Sequence, residues 1–311
     1  MSSECKTESK LEKILRSGQF TVTGECGPPR GADPDVVRKK CRLLKDKADA
    51  FNITDNQTSV VRMSSISSSV IMMQEGLEPV MQMVCRDRNR IAMQSDILGA
   101  AALGVKNMLC LSGDHQKFGD HPQAKNVFDI DSIQLIRMVR VMRDEGKFLG
   151  GEEIKGVPRL FIGAAKNPFA DPFEIRVPRL AKKVAAGVEF IQTQCIFNLD
   201  KFSKWMKGVV DCGLHEKVFI LGGVTPFKSF GMARYMANNV PGMDVPDEVL
   251  QRMKGTPKEH QAEEGITIAV ETIKQLQAMP GIAGVHIMAI EWEEKVGEIA
   301  EKAGLLPRPS V

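Results

Sequence analysis

Eight short apolar runs recur along the chain, and a helical pattern follows nearly every one. The runs are FTVTGE (20–25), AFNITDN (50–56), VMQMVC (80–85), NMLCLSG (107–113), RLFIGAA (159–165), FIQTQCI (190–196), KVFILGG (217–223) and GVHIMAI (284–290). They are too short for helices and rich in the β-branched and aromatic residues that suit strands. Among the helical patterns, DPDVVRKKCRLLKDKA offers Asp33 as an N-cap with Pro34 at the first helical position. DSIQLIRMVRVMRDEG has apolar spacing near 3.6 and ends in Gly146, while RVPRLAKKVAAG and DKFSKWMKGVVDCG close on Gly187 and Gly213. Strands that alternate with helices pair in parallel. Eight such units in 311 residues predict a single-domain α/β chain, a (β/α)8 TIM barrel. An open doubly wound sheet is the alternative, but no GxGxxG follows the first strand. Residues 1–18 read as an N-terminal extension with a helix, and 19–311 as the catalytic barrel. A polar loop, 115–128, follows strand four, and 240–262 insert a short helix before the last long one.

Composition excludes several classes. A net charge of +3 demands neither nucleic acid nor an acidic membrane. No apolar run reaches the roughly 18 residues of a membrane span. The polar start, MSSECKTESK, lacks the apolar core of a signal peptide, so a cytoplasmic protein is expected. The seven cysteines form no CxxC pair, and Cys85, Cys110 and Cys195 lie in strand-like runs. Buried, reduced thiols are therefore expected, with no metal site. A metal held by His115 and His121 has little support, because their spacing matches no helical ligand pair.

A barrel of this kind places its chemistry at the C-terminal ends of its strands. Glu25 ends strand one inside TGECGPPRG, where Gly27, Pro28 and Pro29 stop regular structure. Asp114 ends strand four after Gly113. The two read either as an acid with an electrostatic partner or as helix caps and solvated rim charges. Gln192 and Gln194 share one face of strand six, either as amides for a flat heterocycle or as satisfied core amides. Lys182 and Lys183 either face solvent or reach a phosphate. CRDRNR (85–90) does likewise, unless Asp87 simply caps the next helix.

Together these stretches resemble the methylenetetrahydrofolate reductase family from about Phe20 to the terminal GLLPRP. The landmarks, in order, are TGECGPP, LCLSGDHQ, FIGAAKNP, LAKKVAAGVEFIQTQCIF, LGGVTP and GVHIMA. CRDRNR and AAKNP resemble the form found in anaerobic, acetogen-like bacteria. The resemblance implies a flavin-dependent barrel that passes a hydride to 5,10-methylenetetrahydrofolate and yields 5-methyltetrahydrofolate. It implies that Glu25 is the general acid, that Asp114 lies near pterin and flavin, and that Gln194 contacts folate with Phe197 just beyond. It implies that Lys183 binds a flavin phosphate and that Thr54, Gly113, Ala165 and Asn167 line the flavin, with Gln82 and Ser112 beside them.

The chain departs from the better-known bacterial pattern. Gln82 and Ser112 stand in place of a His and an Arg, Cys26 and Gly27 in place of aromatics, and Arg176 and Arg179 in place of residues that hold an adenylate. FAD is the family default, and FMN, which has no adenylate, is the alternative that the two arginines raise. Electrons are expected from NAD(P)H or from an iron–sulfur partner subunit, and a homo-oligomer is compatible with the sequence. The competing functional readings are a flavin-free folate- or corrinoid-linked methyltransferase-type barrel and a structural subunit without turnover.

Overall fold

The computed structural model describes residues 5–240 and 242–310, so the first four residues of the 1–18 segment, Pro241 and Val311 lie outside the described residues. The strands are β1 (Thr21–Cys26), β2 (Ala50–Ile53), β3 (Pro79–Val84), β4 (Asn107–Leu111), β5 (Phe161–Lys166), β6 (Phe190–Cys195), β7 (Phe219–Val224) and β8 (Gly284–Ile287). Each pairs in parallel with the next and β1 closes on β8, giving a closed eight-stranded barrel. The helices are α1 (Lys10–Arg16), α2 (Pro34–Leu44), α3 (Ser65–Gln74), α4 (Arg90–Ala102), α5 (Ser132–Arg140), α6 (Arg176–Ala186), α7 (Leu199–Asp211), α8 (Phe230–Asn239), α9 (Asp247–Gly255), α10 (Gln261–Gln277) and α11 (Lys295–Lys302). All eight strands fall on the runs read from the sequence, and α9 is the short helix of the 240–262 insertion.

Local signals set the helix ends. Asp33 caps α2 by accepting from the Asp35 N–H, with Pro34 in the first turn. Gly187 ends α6 in the left-handed region at φ 109°. The helix expected to run to Gly146 instead changes at Arg140 into a π-helical turn, Val141–Glu145. The basic run 85–90 is held internally. Arg86 pairs with Asp87, Arg88 pairs with Asp55 and Asp96, and Asn89 rather than Asp87 caps α4.

Two apolar layers surround the strands. The larger lies between the strands and the helices. The smaller fills the N-terminal half of the barrel with Ala50, Val80, Leu109, Phe161, Phe190 and Leu221. Helix α1 closes that end by inserting Leu11 and Leu15. Glu78 fixes it there by accepting from the N–H groups of Lys10 and Leu11. The barrel is therefore plugged below and open only at the C-terminal ends of its strands.

Phe161 and Phe190 stack in this lower layer with ring centroids 5.0 Å apart. Gly163 makes room for them, since a Cβ there would lie 2.1 Å from the Phe190 ring. Gly163→Ala is expected to cost about 1–3 kcal/mol through overpacking. The loss should be read as a lower midpoint of denaturant unfolding, and an unchanged midpoint would contradict this packing.

Candidate active site

Above the apolar layer the barrel interior turns polar. Gln192 of β6 reaches across to β2 and β1, donating to Asn52 Oδ1 at 3.0 Å and Thr23 Oγ1 at 3.1 Å. Asn52 Nδ2 donates back to Gln192 Oε1 at 2.6 Å. Thr23 Oγ1 lies 3.0 Å from His286 Nδ1 of β8. Burial pushes the His286 imidazole down to about 3, so it is neutral. This fully paired layer forms the floor of a cavity of about 410 Å³ at the open end.

One wall of the cavity carries Glu25 at the end of β1. The side chain is half-buried, and loss of water pushes its carboxyl up to about 7. Glu293 adds to the rise, while a hydrogen bond from Gln57 and the charges of Lys40 and Arg62 oppose it. Gln57 Nε2 donates to Glu25 Oε1 at 3.5 Å and lines the same cavity. Its loop has an unusual backbone. Asn56, Thr58 and Ser59 all occupy the left-handed region, at φ 45°, 57° and 59°. Tertiary contacts hold that conformation. Arg86 donates to Ser59 Oγ at 2.7 Å and to the Asn56 carbonyl at 3.3 Å, and the Thr58 N–H donates to Asp114 Oδ2 at 3.2 Å.

The opposite wall is cationic. In a closed ring of eight, β5 faces β1, and Lys166 ends β5. Arg176, Arg179 and Lys183 reach the cavity from α6. Burial, then the charges of Arg176, Lys183 and Arg179, pushes the Lys166 amine down to about 7. Burial also lowers Lys183, whose amine lies 3.4 Å from Ser132 Oγ.

The residues singled out in the sequence divide accordingly. Glu25, Gln82, Ser112, Ala165, Asn167, Lys183 and Gln194 all line the cavity. Thr54, Gly113, Asp114 and Phe197 are not in its lining. Asp114 is exposed and braces the Gln57 loop. Phe197 stacks on Phe227 at 4.6 Å in a satellite core. Thr54 is buried, its hydroxyl without a hydrogen-bond partner. Asn167 Oδ1 accepts from the Phe169 and Ala170 N–H groups, and its Nδ2 donates to the Gly242 carbonyl. Gln57, Asn52 and Lys166 were not read as site residues, while Arg176 and Arg179 were read only as departures at positions that hold an adenylate; all five line the cavity. Among the described residues no three His, Cys, Asp or Glu side chains could hold a metal ion, and no helix could cross a membrane.

The fold and cavity define a (β/α)8 barrel whose open end carries a carboxyl on one wall and a cluster of cations on the other. The chain belongs to the methylenetetrahydrofolate reductase family, which it matches over residues 10–304. Methylenetetrahydrofolate reductase 2 of Schizosaccharomyces pombe is 24% identical over 240 residues, covering 73% of this chain and 36% of that protein. The probable methylenetetrahydrofolate reductase (NADPH) of Caenorhabditis elegans is 21% identical, covering 95% and 44%. The chain thus spans less than half the length of these two relatives. A solved structure of an uncharacterized Clostridium thermocellum protein that binds two copies of 5-methyl-5,6,7,8-tetrahydrofolic acid shares the fold. Its TM-score is 0.63 at 12% identity, with 96% of this chain and 99% of that one covered.

The Glu25 carboxyl has a sign-determined effect on stability. Its folded value lies above the usual 4.5, so the native state holds the proton more tightly than the unfolded chain. That contribution is complete below pH 4.5 and is lost as pH rises through about 7. The melting temperature of Glu25→Gln relative to the parent is therefore expected to be higher at pH 8 than at pH 5. A pH-independent difference in thermal melts would show that the carboxyl is not buried in this way.

Proposed function

We propose that this chain is the flavin-dependent catalytic barrel that reduces 5,10-methylenetetrahydrofolate to 5-methyltetrahydrofolate. The observation that carries the reading is Glu25: a carboxyl half-protonated near neutrality, facing the cavity of a chain in this family. When bound, a reduced flavin would supply the hydride. The lining fits such a cofactor, with cations for its phosphate, Gln82 and Ser112 for a polar ring edge, and the small Ala165 at the mouth.

The chain's own residues prepare the folate. Hydride acceptance needs an electrophilic carbon, and the imidazolidine ring of methylenetetrahydrofolate becomes one when an amine nitrogen is protonated and the ring opens to an iminium. Glu25 delivers that proton from a site poor in water, where a neutral acid persists at pH 7. Gln57 orients the carboxyl, and Asp114 steadies the loop that carries Gln57. Gln194 lines the cavity, and its side-chain amide, which bonds no group among the described residues, has a donor and an acceptor for the pterin edge. His286, being neutral, adds no competing charge to the floor.

Electrons come from NAD(P)H or through a partner subunit. Relatives are named for different donors, NADPH for the C. elegans protein and NADH for one from Arabidopsis thaliana, so the donor is a property to measure on this chain.

Separating the half-reactions tests the assignment. Glu25→Gln should slow oxidation of the reduced flavin by methylenetetrahydrofolate by about 10²–10⁴-fold, while reduction by the electron donor survives. Gln57→Leu should move the alkaline limb of the folate half-reaction to higher pH, because the lost hydrogen bond favoured the ionised carboxyl. Stopped-flow spectroscopy reads both. An unimpaired folate half-reaction in Glu25→Gln would remove Glu25 from the chemistry, and an unmoved limb in Gln57→Leu would reduce Gln57 to a structural residue.

A further inference from the structure

We infer that the outer face of α4, with the 147–159 segment beside it, is the contact through which two copies of this chain pair about a two-fold axis; the inference is independent of the flavin reading. In a chain that is 26% charged, the water-facing side of a helix ordinarily carries charge. Helix α7, thirteen residues long like α4, has five charged residues. From Ile91 to Val105 there is one, Asp96, and it is bonded to Arg88. The exposed residues from 91 to 103 are Ile91, Ala92, Ser95, Gly99, Ala102 and Leu103. At 3.6 residues per turn they fall within one arc of about 120°. Ile91 is 75% exposed and Leu103 55%. The neighbouring segment, tied to α4 by the Leu149 N–H donating to Gln94 Oε1, adds Leu149 and Val157, which are exposed as well. Four large apolar side chains left in water thus share one side of the barrel, as interaction surfaces do.

The pattern of this face says what covers it. Taken about position 97, Ile91 mirrors Leu103, Ala92 mirrors Ala102 and Ser95 mirrors Gly99. Two such helices crossing antiparallel would set large against large at both ends and small against small at the centre. Gly99 fits that arrangement and no other feature of the fold. It sits inside a helix, where glycine is the poorest residue but proline, and a Cβ placed on it meets nothing within 4 Å of its own chain. Close approach of a second helix is what its missing side chain allows. Charges flank the pattern in the same sense. The Arg90 guanidinium is taken by Asp129, and Lys106 lies 3.9 Å from Glu8. That leaves Glu152 in the groove beside the first half of α4 and Arg159 in the groove beside the second, neither paired with a side chain among the described residues. The same two-fold brings each Glu152 toward the Arg159 of the other copy. A face whose sizes and charges match about one centre complements itself, which selects a second copy over a different protein.

Sedimentation velocity of the purified chain at about 1 and 50 μM tests this, with a dimer expected at the higher concentration. Gly99→Leu should weaken the dimer at least about tenfold, because the crossing point no longer admits a second helix. The same variant replaces a poor helix former with a good one in open space, so its thermal melt at the lower concentration should not fall. A second variant reads the pairing itself. With the exposed native thiols removed by Cys5→Ser and Cys212→Ser, Ala92→Cys combined with Ala102→Cys should be joined between chains by oxidised glutathione. Peptide mapping should find position 92 of one copy bridged to 102 of the other, since the two lie about 15 Å apart along one helix, too far to bridge within a chain. A parent chain that stays monomeric at the higher concentration overturns the inference. So does a dimer that Gly99→Leu leaves intact, or bridging only between like positions.

Discussion

Closure of eight parallel strands into one ring is the constraint on which everything else depends. Parallel pairing sends every strand end to the same mouth, and the ring sets β1 opposite β5. Helix α1 seals the other end with Leu11 and Leu15, so polar groups inside the barrel have one way out to water. The paired layer of Asn52, Gln192, Thr23 and His286 separates the apolar plug from the cavity without leaving an unsatisfied group in that layer. Chemistry is confined to the volume above it.

Within that volume, loss of water acts on both walls with opposite sign. It favours the neutral form of each group, so it raises the Glu25 carboxyl and lowers the Lys166 amine, both to about 7. The two groups thus come close to neutrality from opposite directions. The acid side keeps a transferable proton, and on the cationic side burial and three neighbouring cations weaken the hold of Lys166 on its own. Separating them across the barrel prevents the ion pair that would otherwise silence both.

Much of the fold was legible because strand runs and helix caps are local signals. Glu25 was legible for a similar reason: a strand leads into it and Gly27-Pro28-Pro29 ends the structure behind it. Gln57 was not. Its placement depends on left-handed residues at 56, 58 and 59, none of them glycine, and on clamps from Arg86 and Asp114 that are distant in sequence. Phe197 stood beside the strand-six glutamines in sequence, yet it packs on Phe227, a contact no local pattern reveals. The cationic wall was visible only as departures at Arg176 and Arg179, and its meaning came from their convergence with Lys166 and Lys183.

On this account the half-buried Glu25, whose carboxyl holds its proton up to about pH 7, delivers the proton that makes the folate reducible. The most direct test is the pH dependence of the single-turnover reaction between pre-reduced protein and methylenetetrahydrofolate, followed anaerobically between pH 5.5 and 9. The account predicts a rate that is level in acid and falls tenfold per unit above a single ionisation near pH 7. A rate that stays level, or rises, through that range would contradict it.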